Sequence, residues 1–327
     1  MQAMDHSAIR HARVSPALPL PAVALMSACS PPPLVFDLRA GGHSGISRVA
    51  SETVAAYQRT FPDDPVSVLT GEQGRYSLQA QREWPALRRA NPGVVWVWFH
   101  WDVPWVRPPA RSIVYIHDLI GTDPAITTWP KRQITRWWMG HAAAHASRLV
   151  TVSTAMAAPL RVRFAKEVAV IPNGVSPSWF GEWTPRDYLL TVGEPRRYKN
   201  FAVAHHVAAA LGVRHRHAWG VSERELAALY AGARVVLVPS RAEGFGLPVL
   251  EAFAAGAPVV ASDIPALREV GGGLAEHVAP DDLTGWCEAV QRAWTDGGDP
   301  AVRRAWAATF RWERTATQLR AVAGSLG

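Results

Sequence analysis

Val238-Pro239-Ser240-Arg241-Ala242-Glu243-Gly244-Phe245-Gly246-Leu247-Pro248-Val249-Leu250-Glu251-Ala252-Phe253-Ala254-Ala255-Gly256, running on into Ala257-Pro258-Val259-Val260, reads as a strand, a glycine loop, a helix and a second strand. Pro248 suits the first helical position, where its missing N–H is not needed, and Gly256 suits the stop. Gly244 and Gly246 let the backbone come close to a ligand, and the unpaired amides of the helix start then face it. A diphosphate placed there is stabilised by the helix dipole and by several amide donors. Glu243 stands in the loop and Glu251 in the helix, so the two flank the anion without touching it. Glu251 can accept from two hydroxyls of a ribose and Glu243 from hydroxyls of a sugar. The plainer alternative is that both are solvated carboxylates, which are common near helix starts.

The same alternation extends outward in both directions. From residue 34 the chain reads as strand (34–38), glycine-rich turn (41–45) and helix (46–59). Short apolar runs at 66–69, 94–98, 113–116, 149–152 and 168–171 follow, with a helix over 131–147. Their unbroken apolar character suits parallel strands covered on both faces. A second series begins with a strand over 188–193, continues through a helix over 201–211, and resumes with strands at 234–238 and 258–261. Pro172-Asn173-Gly174-Val175-Ser176-Pro177, rich in turn formers, separates the two. We therefore expect an α/β protein with a loose tail over 1–33, a first domain over 34–175 and a second over 176–300. A last helix over 300–323 is expected to cross back to the first domain.

Composition narrows the class. The chain has 327 residues, 48% hydrophobic and 19% charged, enough for two compact domains and unlike a disordered chain. Cys29 and Cys287, far apart, support neither a disulfide framework nor a zinc site, and suit a reducing compartment. A net charge of +7 favours anionic partners. The apolar runs are too short to span a bilayer. Gly41-Gly42-His43-Ser44-Gly45 lacks the spacing of a dinucleotide fingerprint.

The run from Ser240 to Asp263, with its two glutamates, glycines and proline, resembles the donor-binding signature of retaining nucleotide-sugar glycosyltransferases of the family-4 type. That resemblance implies the GT-B architecture, two Rossmann-like doubly wound domains facing a central cleft. It extends to His117-Asp118-Leu119-Ile120, to Thr151-Val152-Ser153, to Ile171-Pro172-Asn173-Gly174-Val175, to the helix around Glu225–Tyr230 and to Phe310-Arg311-Trp312-Glu313. It implies a catalytic set of His117, Glu243, Arg197 and Lys199. Donor binding then falls to Arg196, Gly244, Phe245, Gly246, Leu247 and Glu251, with Trp219 beside the base. Lys199 before Asn200 matches the family's basic loop, while Glu194 stands where some members carry its arginine, so Arg196 or Arg197 substitutes. One βα unit expected between 211 and 217 is missing, which leaves base recognition and activity open.

The implied chemistry moves a hexose, mannose or glucose, from a GDP- or UDP-sugar to a hydroxyl of a glycan or lipid-linked oligosaccharide. No Asp-x-Asp pair occurs, so no metal and no resident cofactor is expected; the nucleotide sugar is a co-substrate. The acceptor side is expected at His43, Ser44, Gly45, His100, Trp101 and Asp102, where nearby tryptophans can stack on sugar faces. Lys131-Arg132-Gln133-Ile134-Thr135-Arg136-Trp137-Trp138 is basic and aromatic, as in helices that rest on anionic membranes, or else half-buried with a charged outer side. The expected location is cytoplasmic, peripheral on the inner face of the plasma membrane, with no nucleic-acid partner. The competing expectations are a non-catalytic GT-B subunit that binds glycan or a partner, and a nucleotide-sugar epimerase or hydrolase.

Overall fold

A computed structural model describes residues 31–39, 45–71 and 78–327, so most of the expected tail, together with His43 and Ser44, lies outside the described residues. By contacts the chain forms two compact units: Met1–Ile116 with Trp137–Val150 and Ala316–Gly327, and His117–Arg136 with Thr151–Thr315. The second unit thus takes in the turn at 172–177 and the segment after His117.

The first unit carries β1 (Leu34–Asp37), α1 (Gly45–Thr60), β2 (Val66–Leu69), α2 (Leu78–Ala90), β3 (Val95–Trp98) and β4 (Ser112–Tyr115), then α3 (Trp129–His145) from Trp137 onward and β5 (Arg148–Thr151). Strands β2, β1, β3, β4 and β5 lie side by side in that order, all parallel. All four residues of β1, β3 and β4 are buried, as the apolar runs require. Trp84 packs edge-on to Trp96 and Trp98, with ring centroids 4.8 and 5.9 Å away. The indole of Trp84 donates to the Arg107 carbonyl at 2.9 Å, and that of Trp98 to Asp37 at 3.2 Å. Truncating such a ring to alanine costs about 3–5 kcal/mol. These tryptophans are core; of the group, Trp105 is 40% exposed and available to solvent. Near the chain's end, Arg320 and the Tyr57 hydroxyl both donate to Asp64 at 2.8 Å.

The second unit carries α4 (Thr154–Phe164), β6 (Val168–Val170), β7 (Arg186–Val192), α5 (Ala202–Leu211), β8 (Arg214–Ala218), α6 (Glu223–Gly232) and β9 (Ala233–Val238). It continues with α7 (Leu247–Ala255), β10 (Val259–Ser262), α8 (Pro265–Gly271), β11 (Glu276–Val278), α9 (Leu283–Thr295), α10 (Pro300–Ala307) and the start of α11 (Trp312–Gly324), which from Ala316 onward belongs to the first unit. Its five-stranded parallel sheet has the order β11-β10-β9-β7-β8. The chain leaves β7 toward β8 on one side and leaves β9 toward β10 on the other. The order therefore reverses between β7 and β9, and a ligand of such a sheet binds beyond the carboxyl ends of those two strands.

The single helix expected over 300–323 is two helices. Thr309 donates its hydroxyl to the Trp306 carbonyl, and the Phe310 carbonyl turns outward to accept from the Val175 amide at 3.0 Å. Gly174 makes that approach possible: a Cβ there would overlap the Trp312 nitrogen and lie 2.7 Å from the Arg311 carbonyl carbon. Gly174→Ala is expected to destabilise the protein by about 2–3 kcal/mol through backbone collision. A urea titration measures it, and a wild-type midpoint would show that the crossing relaxes without cost.

Candidate active site

The loops that leave β7 and β9 meet at the reversal point. After β7, Gly193 adopts φ +122°, a value L side chains rarely take, and its amide donates to Ala218. The chain then makes a 3-10 turn over Arg197–Lys199, closed by Asn200 at φ +54°. The Tyr198 carbonyl accepts from the Arg241 amide at 2.7 Å, tying this loop to the one after β9. Helix α7 starts at Gly246, whose φ of +106° turns the chain into the first helical turn. Pro248 sits second in that turn, one place after the expected first position, and Gly256 caps the far end at φ +85°, as the residues predicted.

Lys199 Nζ donates to Glu243 Oε1 at 2.6 Å, and the Ser240 hydroxyl donates to the same oxygen at 2.8 Å. The paired side chains are 15% and 11% exposed, so the attraction acts largely out of water. Burial works against the Lys199 ammonium, but Glu243 by attraction and hydrogen bond, with Tyr198 and Asp118 behind it, leaves its pKa above the ordinary lysine value. An ammonium has three N–H donors, so one given to Glu243 leaves two for an incoming oxyanion.

The turn after His117 packs directly on this loop. Gly244 lies so close to the His117 carbonyl that a Cβ would overlap its oxygen and stand 3.3 Å from the Asp118 Cβ. The Gly244 carbonyl accepts from the Ser153 hydroxyl at 2.7 Å, while Ser153 Oγ accepts from Met156 to cap α4. His117 is 8% exposed. Asp118 accepts from the Ile120 amide at 2.9 Å. Its carboxyl pKa is raised, first by burial; the Ile120 amide opposes the rise, Glu243 adds to it and Lys199 subtracts.

Glu251 is not a solvated carboxylate: it is 3% exposed and accepts from the Tyr230 hydroxyl at 2.7 Å. Glu243 is likewise withdrawn from solvent, so the plainer alternative for both is corrected. Phe245 turns its ring inward, 6.1 Å from that of Phe310, while Leu247 opens α7 partly exposed. Arg196 pairs with Glu194 at 2.6 Å, both about half exposed, and Arg197 is exposed. Trp219 is 58% exposed just past β8. In the first unit, Gly45 opens α1, exposed. His100 is 6% exposed, with its ring 4.3 Å from that of Trp101 and its Nδ1 3.8 Å from Asp102, beyond hydrogen-bond reach.

Three participants were not singled out from the sequence. Ser240 and Ser153 stand in the quoted runs but carry no signal of their own, since a serine's partner is decided by the fold. Tyr230 closes an apolar helix face and touches Glu251 only because α6 and α7 pack together. Tyr230→Phe is expected to weaken nucleotide binding severalfold by removing the hydroxyl that donates to the Glu251 carboxylate, a loss near that of one charged hydrogen bond. Calorimetry with GDP and UDP measures it; an unchanged Kd would separate Glu251 from the nucleotide.

The model of "Glycosyl transferases group 1" matches residues 184–296, and that of "Glycosyltransferase Family 4" matches 45–179. Among curated proteins, the MMP alpha-(1->4)-mannosyltransferase of Mycolicibacterium hassiacum is 29% identical over 250 residues, 61% of each chain. The O-antigen chain mannosyltransferase RfbU of Salmonella typhimurium is 45% identical over 71 residues, 22% of this chain and 20% of the relative. The matched segments thus span less than two thirds of these relatives. Among solved structures, sucrose-phosphate synthase from Thermosynechococcus elongatus superposes with a TM-score of 0.68 at 18% identity, covering 89% of this chain and 98% of the other. Anabaena Alr3699/HepE in complex with UDP and glucose gives 0.66 at 14%, covering 90% and 100%. At such identities the likeness shows a shared fold.

Proposed function

We propose, from the premise that the chain belongs to the group 1, family-4 glycosyltransferases and has the GT-B fold, that it transfers a hexosyl residue from a nucleoside diphosphate sugar to an acceptor hydroxyl with retention. The pairing of Lys199 with Glu243 in front of α7 carries this reading. In it, the first amides of α7 and the Lys199 ammonium hold the diphosphate. Glu251, steadied by Tyr230, accepts from the ribose, and Glu243 accepts from hydroxyls of the hexose. His117 orients that hexose from the turn packed against Gly244.

The acceptor oxygen bonds to the anomeric carbon from the face the diphosphate leaves. The bond from that carbon to the diphosphate oxygen breaks, and the acceptor's proton passes to the departing phosphate. Charge grows on the diphosphate as it leaves, where Lys199, Arg197 and the helix amides stabilise it without a metal ion. The mannosyltransferases among the relatives favour mannose, and hence GDP-mannose, over glucose. The acceptor is a glycan or lipid-linked saccharide. Exposed Trp129, Ile134 and Trp137, on a helix that also carries Lys131, Arg132 and Arg136, support residence at the inner face of an anionic membrane; among the described residues no helix is long and apolar enough to cross one.

The test is a screen of the purified chain with GDP-, UDP- and ADP-sugars, read by mass spectrometry of the products. Transfer of hexose to an added glycoside is the expected result. Donor turnover without transfer would indicate a hydrolase, and binding of no nucleotide at all would indicate a non-catalytic subunit.

A further inference from the structure

Beside Glu243 lies a cavity of about 490 Å³, lined by the segment after His117, the first turn of α4, the loop 241–243 and the entry to α8. Of the groups assigned to the donor, only Glu243 reaches it; Lys199, Gly246, Leu247 and Glu251 do not line it. A compartment that meets the donor only at the carboxylate contacting the transferred sugar can seat an acceptor beside that sugar, and it shares no residue with the acceptor side expected at His43, Ser44, Gly45, His100, Trp101 and Asp102. The nucleotide end of the donor is held elsewhere.

The lining defines the occupant. Leu119, Ile120, Met156, Ile264 and Pro265 supply an apolar wall. Its cation, Arg241, donates from both terminal guanidinium nitrogens to Asp281, from Nη1 at 2.9 Å. Glu243 is matched by Lys199. With Asp118 and Asp123 the lining sets three carboxylates against one arginine, so it offers acceptors for hydroxyl protons and a negative balance that disfavours a phosphate. We propose that this cavity binds the acceptor as a neutral glycoside, its hydroxyl toward Glu243 and its apolar aglycone on Ile120, Met156 and Pro265, and that it rejects anionic sugars. The proposal rests on the donor assignment of Glu243.

The experiment titrates the full chain with methyl α-D-mannopyranoside, butyl α-D-mannopyranoside and mannose 6-phosphate, with and without saturating GDP. Ala155→Trp and Met156→Trp, both at partly exposed positions of the lining, fill the cavity without touching the donor groups. We expect butyl to bind more tightly than methyl mannoside, mannose 6-phosphate to bind at least about tenfold more weakly than either, and each filled variant to lose at least about tenfold in glycoside affinity. GDP affinity and melting temperature should stay at the wild-type values. Equal glycoside affinity in wild type and both folded variants overturns the proposal, as does phosphate-sugar binding that matches the glycosides, or no glycoside binding by the wild type. Failure of the wild type to bind GDP while the glycoside pattern holds strikes the donor assignment alone.

Discussion

Lys199→Ala is expected to lower kcat/KM by about 10²–10³-fold, the effect typical of removing one preorganised group that stabilises transition-state charge. The ammonium gives one proton to Glu243 and keeps two for the diphosphate, so its loss acts twice. It takes the cation from the leaving group, and it leaves Glu243 with the Ser240 hydroxyl as its donor in a poorly hydrated place. An unmatched buried charge costs about 3–5 kcal/mol, so Glu243 is expected to swing toward solvent or take up a proton. Either change removes it from the sugar hydroxyls. Lys199→Ala,Glu243→Gln together should therefore recover stability but not transfer, since the second change relieves the charge without restoring the grip. Calorimetry with GDP and UDP, alongside urea unfolding, reads the two effects separately. A folded Lys199→Ala protein with wild-type nucleotide affinity would remove the site from the β7–β9 reversal point.

The limits of legibility follow from the range of each interaction. The run 238–260 could be parsed because each element carries a local signal: an apolar strand, glycines at φ +106° and +85°, and a proline in the first helical turn. The Lys199–Glu243 contact joins positions 44 residues apart, and only the family pattern placed both in one site. Helices α2 and α4 went unread because Pro85 and Pro159 interrupt their patterns. Trp84 holds the first in place by burial, while Ser153 caps the second. Strand β8 reads Arg-His-Arg-His-Ala and looks like a polar turn; it is a strand because β7 offers it an edge and Thr191 bonds both His215 and His217. Burial of Glu251 was equally hidden, since α7 is apolar almost throughout and the carboxylate's partner comes from α6.

Gly244→Ala is expected to lower stability by about 3 kcal/mol and transfer by about 10²-fold or more. A Cβ there overlaps the His117 carbonyl oxygen and lies 2.8 Å from its carbon, so backbone meets backbone and no flexible side chain can give way. The loop must move, and it carries Glu243 on one side and the start of α7 on the other. A shift of about 1 Å at a reacting centre is enough for a hundredfold loss. Gly273→Ala is the control: its φ of +78° strains any side chain, yet nothing lies within 4 Å, so about 1 kcal/mol and unchanged transfer are expected. Ser153→Ala separates the two consequences of the loop's position, because it removes the hydroxyl that holds the Gly244 carbonyl and adds no atom. The same hydroxyl caps α4, so a stability loss of about 1–3 kcal/mol is expected; if transfer falls in a fully folded sample, the loop's placement governs the chemistry. Gly244→Ala with wild-type kcat/KM would mean that the His117 turn and the glycine loop move together, and that their contact is packing alone.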